Sequence, residues 1–126
     1  MADHHKRNPF SLLAKIVGVF TVKSKRMSRV HIMLMENALQ IENEDKLQFI
    51  FDLKGSTVNR SVKGKLKNTT TRKDVCFLKT KKAHPKLMKI DPDDKERILT
   101  IINKDVEFLR RNGLMDYSLL LSVEKA

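Results

Sequence analysis

The feature that most constrains the fold is a long amphipathic helix with a defined start and end. Asp91 can cap this helix and Pro92 suits its first turn, while the acidic residues that follow complement the positive end of the helix dipole. Gly113 is typical of a residue that ends a helix. Between these limits apolar residues recur at helical spacing: Ile98, Ile102, Val106 and Leu109. The pattern predicts a helix over about 92–112 that packs one face against a sheet.

Four shorter segments have the alternation or the β-branched content typical of strands. We predict strands over about 14–23, 30–35, 47–51 and 118–124, the first two forming an antiparallel hairpin. The fold class that follows is α+β: a small antiparallel sheet over about 14–53, a basic irregular connection, one long helix and a final strand. Residues 1–9 are polar and are expected to form a flexible tail, which leaves 10–126 as one domain.

The net charge of +11 on 126 residues is concentrated in one segment. Eleven of the 26 Lys and Arg residues lie within 60–89, where Asp74 is the one acid. This predicts an anionic partner: nucleic acid, acidic lipid headgroups or a phosphorylated substrate. Phe77 is the one aromatic residue there, which disfavours base stacking, so an anionic membrane surface is preferred and nucleic acid ranks last. A flexible solvated loop is the plain alternative.

Two classes of protein are disfavoured by what the sequence lacks. A single cysteine, Cys76, excludes an internal disulfide and leaves no cluster with the spacing of a zinc site. No stretch approaches the roughly 20 apolar residues of a membrane span, and the first residues lack the apolar core of a signal peptide. We therefore expect a cytoplasmic protein that is at most peripheral to a membrane.

A carboxylate stands between the predicted helix and the last predicted strand. Asp116 closely follows Gly113 and precedes a run of leucines, so packed elements on both sides would hold it on a rigid shoulder. A general base is commonly mounted in this way. An aspartate that only caps a turn has the same spacing, and the spacing leaves both interpretations open.

An acid and a base flank one apolar residue at the end of the third predicted strand. Asp52 and Lys54 would point to the same face of a strand, where they can pair or hold one ligand between them. Gly55 and the hydroxyl residues after it allow backbone amides to approach an anion, as phosphate-binding loops do. An ordinary strand end and turn is the alternative.

Three segments, taken together and in order, resemble the phosphatidylinositol phosphate kinases, a family of lipid kinases. They are Asp52-Leu53-Lys54-Gly55-Ser56-Thr57 followed by Arg60, then Thr71-Arg72-Lys73-Asp74-Val75-Cys76-Phe77-Leu78, and then Asp105-Val106-Glu107-Phe108-Leu109 leading into Met115-Asp116-Tyr117-Ser118-Leu119-Leu120. The resemblance covers nearly the whole chain from Asn8 onward. It implies a partial lipid-kinase domain and the transfer of the γ-phosphate of ATP to the inositol ring of a phosphatidylinositol phosphate.

The resemblance also implies roles for individual residues. Asp116 would be the catalytic aspartate, which orients or deprotonates the attacking inositol hydroxyl. Lys54 and Arg60 would bind phosphate groups of the substrate, and the basic segment 60–89 would help to form a membrane-facing surface. The residues implied to bind the nucleotide are Met35, Asn37, Ala38 and Leu39, as a hinge that holds the adenine, together with Asp52.

ATP and Mg²⁺ are the cofactors that the resemblance implies. In the family, a strand carries a lysine that binds the nucleotide, and residues 1–9 contain no such strand. The family's metal-binding aspartate is expected outside this sequence, beyond Ala126. We therefore expect little or no kinase activity from this chain alone, and association with itself or with a further kinase segment. Two other interpretations stay open: a catalytically dead module that binds phosphoinositides or a partner, and a small basic nucleic-acid-binding protein.

Overall fold

The computed structural model describes residues 1–41, 43–86 and 89–125. Its elements in chain order are α1 Ala2–Arg7, β1 Ile16–Ser24, β2 Met27–Met35, a 3-10 turn Glu44–Lys46, β3 Leu47–Leu53, β4 Thr71–Arg72, α2 Asp74–Ala83, α3 Pro92–Arg111 and β5 Leu119–Glu124. The predicted α+β class is confirmed, with its antiparallel pairing, long helix and final strand. Positions 87 and 88 of the basic segment and the last residue of the predicted domain lie outside the described residues.

Helix α3 begins and ends where its sequence predicts. The Asp91 side chain accepts a hydrogen bond from the backbone N–H of Asp93 at 3.0 Å, which satisfies one of the free amides of the first turn. At the other end Gly113 adopts φ 63°, a left-handed conformation that glycine tolerates without strain. The chain therefore leaves α3 in a fixed direction towards β5.

The strands form two sheets rather than the one predicted over about 14–53. Strands β1 and β2 make an isolated antiparallel hairpin, whereas β3 lies at the centre of a second sheet, parallel to β4 and antiparallel to β5. Strand β3 has buried residues on both faces, Leu47 and Phe51 on one and Ile50 on the other, and the leucine-rich β5 pairs with it from Leu53 to Leu47. Period-two alternation identifies a strand but not its partner, so the sequence could not predict this pairing.

The core lies around β3. Leu47, Ile50 and Phe51 of this strand are buried, and so is Leu109 of α3. The Phe77 ring of α2 meets the Phe51 ring edge-on, with centroids 5.2 Å apart. Helix α2 therefore packs an aromatic side chain against the strand whose end carries the candidate site, and Leu109 of α3 lines a cavity together with Leu53 of that strand.

Helix α2 lies inside the basic segment 60–89, which was predicted to be an irregular connection, and this part of the prediction is wrong. Its first turn contains Asp74 and its last turn contains Lys81 and Lys82. Charges placed in this way stabilise a helix, because they are opposite to the partial charges of the helix dipole at each end. Three of its ten residues are lysines, so it shares the basic composition of the surrounding segment, and that composition hid the helix. The described part of the segment thus contains a helix and the short strand β4.

Residues 1–9 were expected to form a flexible tail, and here the structure differs. Residues Ala2–Arg7 form α1, and His4 is buried. His4 Nε2 hydrogen bonds to Asp105 Oδ1 at 2.7 Å, and the backbone N–H of Leu12 donates to Asp105 Oδ2 at 2.8 Å. Because these partners are about a hundred positions away along the chain, the polar composition could not indicate that α1 is fixed to α3.

The β1–β2 hairpin presents apolar side chains to solvent on both faces. Phe20 pairs with Ile32 on one face and Val19 with Met33 on the other, and all four are about half exposed or more. Such a surface is typical of one that packs against another protein element.

Among the helices that the structure describes, none is long and apolar enough to cross a membrane.

Candidate active site

The candidate site is built on the segment that leaves β3, residues 54–60, which we call the 54–60 loop. Gly55 has φ 71°, which lets the chain turn sharply after the strand. The backbone N–H groups of Lys54 and Gly55 donate to Asp74 Oδ1 at 3.0 and 2.9 Å. At the far end of the loop, Arg60 Nε donates to Asp74 Oδ2 at 2.8 Å. The first residue of α2 therefore holds both ends of the loop.

The Arg60 guanidinium lies between two carboxylates. Its Nη2 atom donates to Asp52 Oδ2 at 3.1 Å and to the Asp52 carbonyl oxygen, while its Nε is bound by Asp74. The Arg60 side chain is only 12% exposed. Its charge is therefore fixed in place next to the end of β3.

The ionisation of these groups follows from their contacts. The hydrogen bond from Arg60 lowers the pKa of Asp74 to about 2, with further help from the backbone amides and against the opposing effect of burial. The pKa of Asp52 is lowered by hydrogen bonding to Ser118 and, against the effect of burial, by Arg60. The two carboxylates in turn raise the pKa of Arg60. The cluster is thus fully ionised at neutral pH.

Asp116 forms an ion pair with Lys54, whose Nζ atom contacts Asp116 Oδ1. The two residues are 62 positions apart in the chain. Asp116 adopts φ 63°, a left-handed conformation that, glycine apart, aspartate and asparagine adopt most readily. An aspartate that caps a turn accepts a hydrogen bond from a backbone N–H group. In the described part of the chain, Asp116 accepts no such bond. Asp116 is thus paired with a lysine side chain rather than with a backbone amide of its own turn.

The ion pair is accessible at its acidic end. The Asp116 side chain is 86% exposed, whereas that of Lys54 is 29% exposed. An open cavity of about 400 Å³ lies beside Lys54 and is lined further by Tyr117, Ser118 and apolar residues of α3. The arrangement offers an ammonium group for an anion at the wall of a mainly apolar cavity, and a solvent-exposed carboxylate for a hydroxyl next to that ammonium group.

The predicted hinge residues lie elsewhere, at the end of β2. Asn37 Oδ1 accepts the backbone N–H of Leu39 at 3.1 Å, and Met35 is about half exposed. Among the hydrogen bonds and ion pairs of residues 1–41, 43–86 and 89–125, none joins the segment 35–39 to Lys54, Arg60 or Asp116. Asp52, which was grouped with the hinge as nucleotide-binding, lies beside Arg60 instead.

Asp74 is the site residue that the sequence did not single out. It was named only within the matching segment 71–78, and its contacts reach 14 to 20 positions back along the chain. A signal was available, because Asp74 is the single acid among eleven basic residues. An isolated acid in such surroundings is well placed to bind one of them.

Comparison with known proteins gives a consistent result. The family model described as Phosphatidylinositol-4-phosphate 5-Kinase matches residues 2–126. A phosphatidylinositol 4-phosphate 5-kinase of Plasmodium falciparum is 30% identical over 96% of this chain, which covers 7% of that relative. The type-1 beta phosphatidylinositol 4-phosphate 5-kinase of Gallus gallus is 34% identical over 93% of this chain and 21% of the relative.

A probable phosphatidylinositol phosphate kinase of Dictyostelium discoideum is 32% identical, over 96% of this chain and 16% of the relative. The chain thus spans between 7% and 21% of the length of these three relatives. The family match, by contrast, extends over almost every residue, including α1, the 54–60 loop and Asp116. The chain therefore belongs to the phosphatidylinositol-4-phosphate 5-kinase family.

Proposed function

We propose that this chain is part of a kinase that transfers the γ-phosphate of ATP to the inositol ring of a phosphatidylinositol phosphate. In that kinase it would bind a phosphate group of the lipid substrate and activate the attacking hydroxyl. The observation that carries the proposal is the ion pair between Asp116 and Lys54, a lysine that lines an open cavity. A reaction of this kind needs a cation to hold a phosphate group and a carboxylate to orient the attacking hydroxyl. The ion pair provides both.

Lys54 and Asp116 are suited to exchange their contact for a substrate. Ion pairs that solvent reaches are worth little, and the Asp116 side chain is mostly exposed. An incoming phosphorylated headgroup can therefore take the Lys54 ammonium, which frees the Asp116 carboxylate to accept a hydrogen bond from the ring hydroxyl. Arg60 adds a fixed positive charge nearby, since two carboxylates hold its guanidinium.

The nucleotide would contact a different part of the chain. The exposed segment after β2, with Met35, Asn37, Ala38 and Leu39, would hold the adenine through its backbone, and Asp52 would lie towards the phosphates. ATP supplies the transferred phosphoryl group when bound. For Mg²⁺, the residues described contain no cluster of three or more His, Cys, Asp or Glu side chains able to hold a metal ion.

The basic surface of α2 would bring the chain to its substrate. Lys79, Lys81 and Lys82 are exposed on this helix, and each basic residue near an anionic bilayer contributes about 1 kcal/mol of attraction. We propose a peripheral location on the cytosolic face of a membrane, where the lipid headgroups are presented. The substrate headgroup is then concentrated near Lys54 by the same attraction.

Binding to lipid vesicles tests this proposal. We expect the chain to bind vesicles containing phosphatidylinositol 4-phosphate more tightly than vesicles given the same surface charge with phosphatidylserine. Lys54→Ala should reduce that preference about ten-fold, because a charge-assisted contact to the headgroup is lost. The measurement is vesicle co-sedimentation over a range of lipid concentrations.

Lys23→Ala provides the matched control, because Lys23 is exposed on the hairpin and its loss changes the net charge equally. It should leave the preference for the phosphorylated lipid intact. If the Lys54→Ala and Lys23→Ala variants show the same preference for the phosphorylated lipid, Lys54 does not contact the headgroup and the proposal is wrong.

We further propose that the 126-residue chain alone transfers little or no phosphate. It covers a minor part of its relatives' length. A lipid-kinase assay on the chain should give the same background as its Asp116→Asn variant. Turnover that Asp116→Asn abolishes would contradict this expectation and would at the same time support the role of Asp116. Vesicle binding without ATP binding would favour the dead lipid-binding module instead.

A further inference from the structure

Asp74 is the point where both ends of the 54–60 loop meet. One of its carboxylate oxygens accepts the backbone N–H groups of Lys54 and Gly55, and the other accepts Arg60 Nε, all within 3.0 Å. Its side chain is 10% exposed. A charged group with this little exposure is normally fully paired, and these three donors pair it.

We infer that Asp74 is a positioning residue for Lys54 and Arg60. Its contact with the Lys54 backbone fixes the point from which the lysine side chain extends to Asp116. Its contact with Arg60 Nε turns the rest of the guanidinium towards Asp52. The consequence of this for substrate binding rests on the function proposed above, whereas the positioning itself does not.

The same residue links the loop to the basic helix. Asp74 is the first residue of α2, and the next backbone N–H, that of Val75, donates to the Arg60 carbonyl oxygen at 3.0 Å. The loop and the start of α2 therefore move as one unit. The exposed lysines of α2 are then held in a fixed relation to Lys54, so that a surface that attracts a bilayer also orients the residues that meet its headgroups.

Two substitutions separate the contacts that Asp74 makes. Asp74→Asn keeps an oxygen that can accept from the Lys54 and Gly55 amides, but it removes the charge and places a donor or a weaker acceptor opposite Arg60 Nε. Asp74→Ala removes all three contacts. Asp94→Asn is the matched control: it changes the net charge by the same amount, and the Asp94 side chain is 63% exposed and only 4.0 Å from its nearest basic partner, Arg97.

Hydrogen exchange measured by NMR gives the first result. In the unchanged chain the Arg60 Nε–H and the Gly55 amide should both be protected. Asp74→Asn should speed exchange of the Arg60 Nε–H about ten-fold or more and that of the Gly55 amide much less, and Asp94→Asn should change neither. The inference is overturned if either group is unprotected in the unchanged chain, or if Asp74→Asn leaves the Arg60 proton as protected as Asp94→Asn does. These outcomes do not depend on whether Asp74→Ala folds.

Vesicle binding gives the second result, with Lys54 and Arg60 themselves intact. Asp74→Asn should lose several-fold of the preference for phosphatidylinositol 4-phosphate over charge-matched phosphatidylserine, and Asp94→Asn should retain it. Equal preference in the two variants would overturn the positioning role in ligand binding. If the unchanged chain shows no preference at all, it is the proposed function that fails, and the exchange measurement alone then decides whether Asp74 positions the loop.

Discussion

Phe51→Ala is expected to lower the free energy of unfolding by about 3–5 kcal/mol. Phe51 is fully buried at the centre of the second sheet, where its ring contacts Phe77 edge-on and stacks near Phe49. Truncation removes the transfer free energy of the ring and leaves a cavity between β3 and α2. Since stability of a domain of this size is of the order of 5–15 kcal/mol, a large part of it depends on this ring.

The measurement is equilibrium urea denaturation followed by circular dichroism. Phe10→Ala is the control, since the Phe10 side chain is 77% exposed and its loss should change stability by less than about 1 kcal/mol. Similar losses in the two variants would show that β3 is not the centre of the core.

The second large effect is a loss of stability in acid. The pKa of Asp74 falls from 3.8 to about 2 on folding, and those of Asp52 and Asp105 are also lowered. For Asp105, burial opposes ionisation, but hydrogen bonds from His4, Ser11 and the Leu12 amide outweigh it. A carboxyl with a lowered folded-state pKa contributes stability that is complete above its unfolded pKa and is lost as pH falls through the folded pKa. The free energy of unfolding should therefore decrease from about pH 4 down to about pH 2.

Comparing variants assigns part of that decrease to Asp74. Asp74→Asn is less stable at neutral pH, but its stability should fall less between about pH 4 and pH 2 than that of Asp94→Asn. The pKa of Glu107 is also lowered to about 2, by Arg110 and Arg111, but that cluster is solvent-exposed and salt should screen it. Denaturation should therefore be measured in high salt as well. Equal losses in the two variants would contradict the assigned ionisation of Asp74.

Features that depend on neighbouring residues could be predicted from the sequence. The start and end of α3 follow from Asp91 and Gly113, which act within one turn of the helix. The β1–β2 hairpin likewise follows from alternation in two adjacent segments. The contact between Lys54 and Asp116 joins positions 62 apart, so local spacing could not predict it, and the family resemblance implied only that both residues act in one active site.

Features that depend on distant partners could not be predicted. The pairing of β3 with β5, the burial of His4 against Asp105 and the three contacts of Asp74 all join positions well separated in the chain. Hydrophobic periodicity records which face of an element is buried but not what buries it. In the same way, the composition of 60–89 recorded its charge but hid α2. The hinge at 35–39 stays a prediction.

The central claim is that Lys54, Arg60 and Asp116 form one site for a phosphorylated inositol headgroup. The most direct measurement is an NMR titration of the chain with soluble glycerophosphoinositol 4-phosphate and, separately, with unphosphorylated glycerophosphoinositol. We predict that the phosphorylated headgroup binds at least about ten-fold more tightly, and that it perturbs the resonances of Lys54, Arg60 and Asp116 together. Equal binding of the two headgroups, or perturbations confined to the exposed lysines of α2, would contradict the claim.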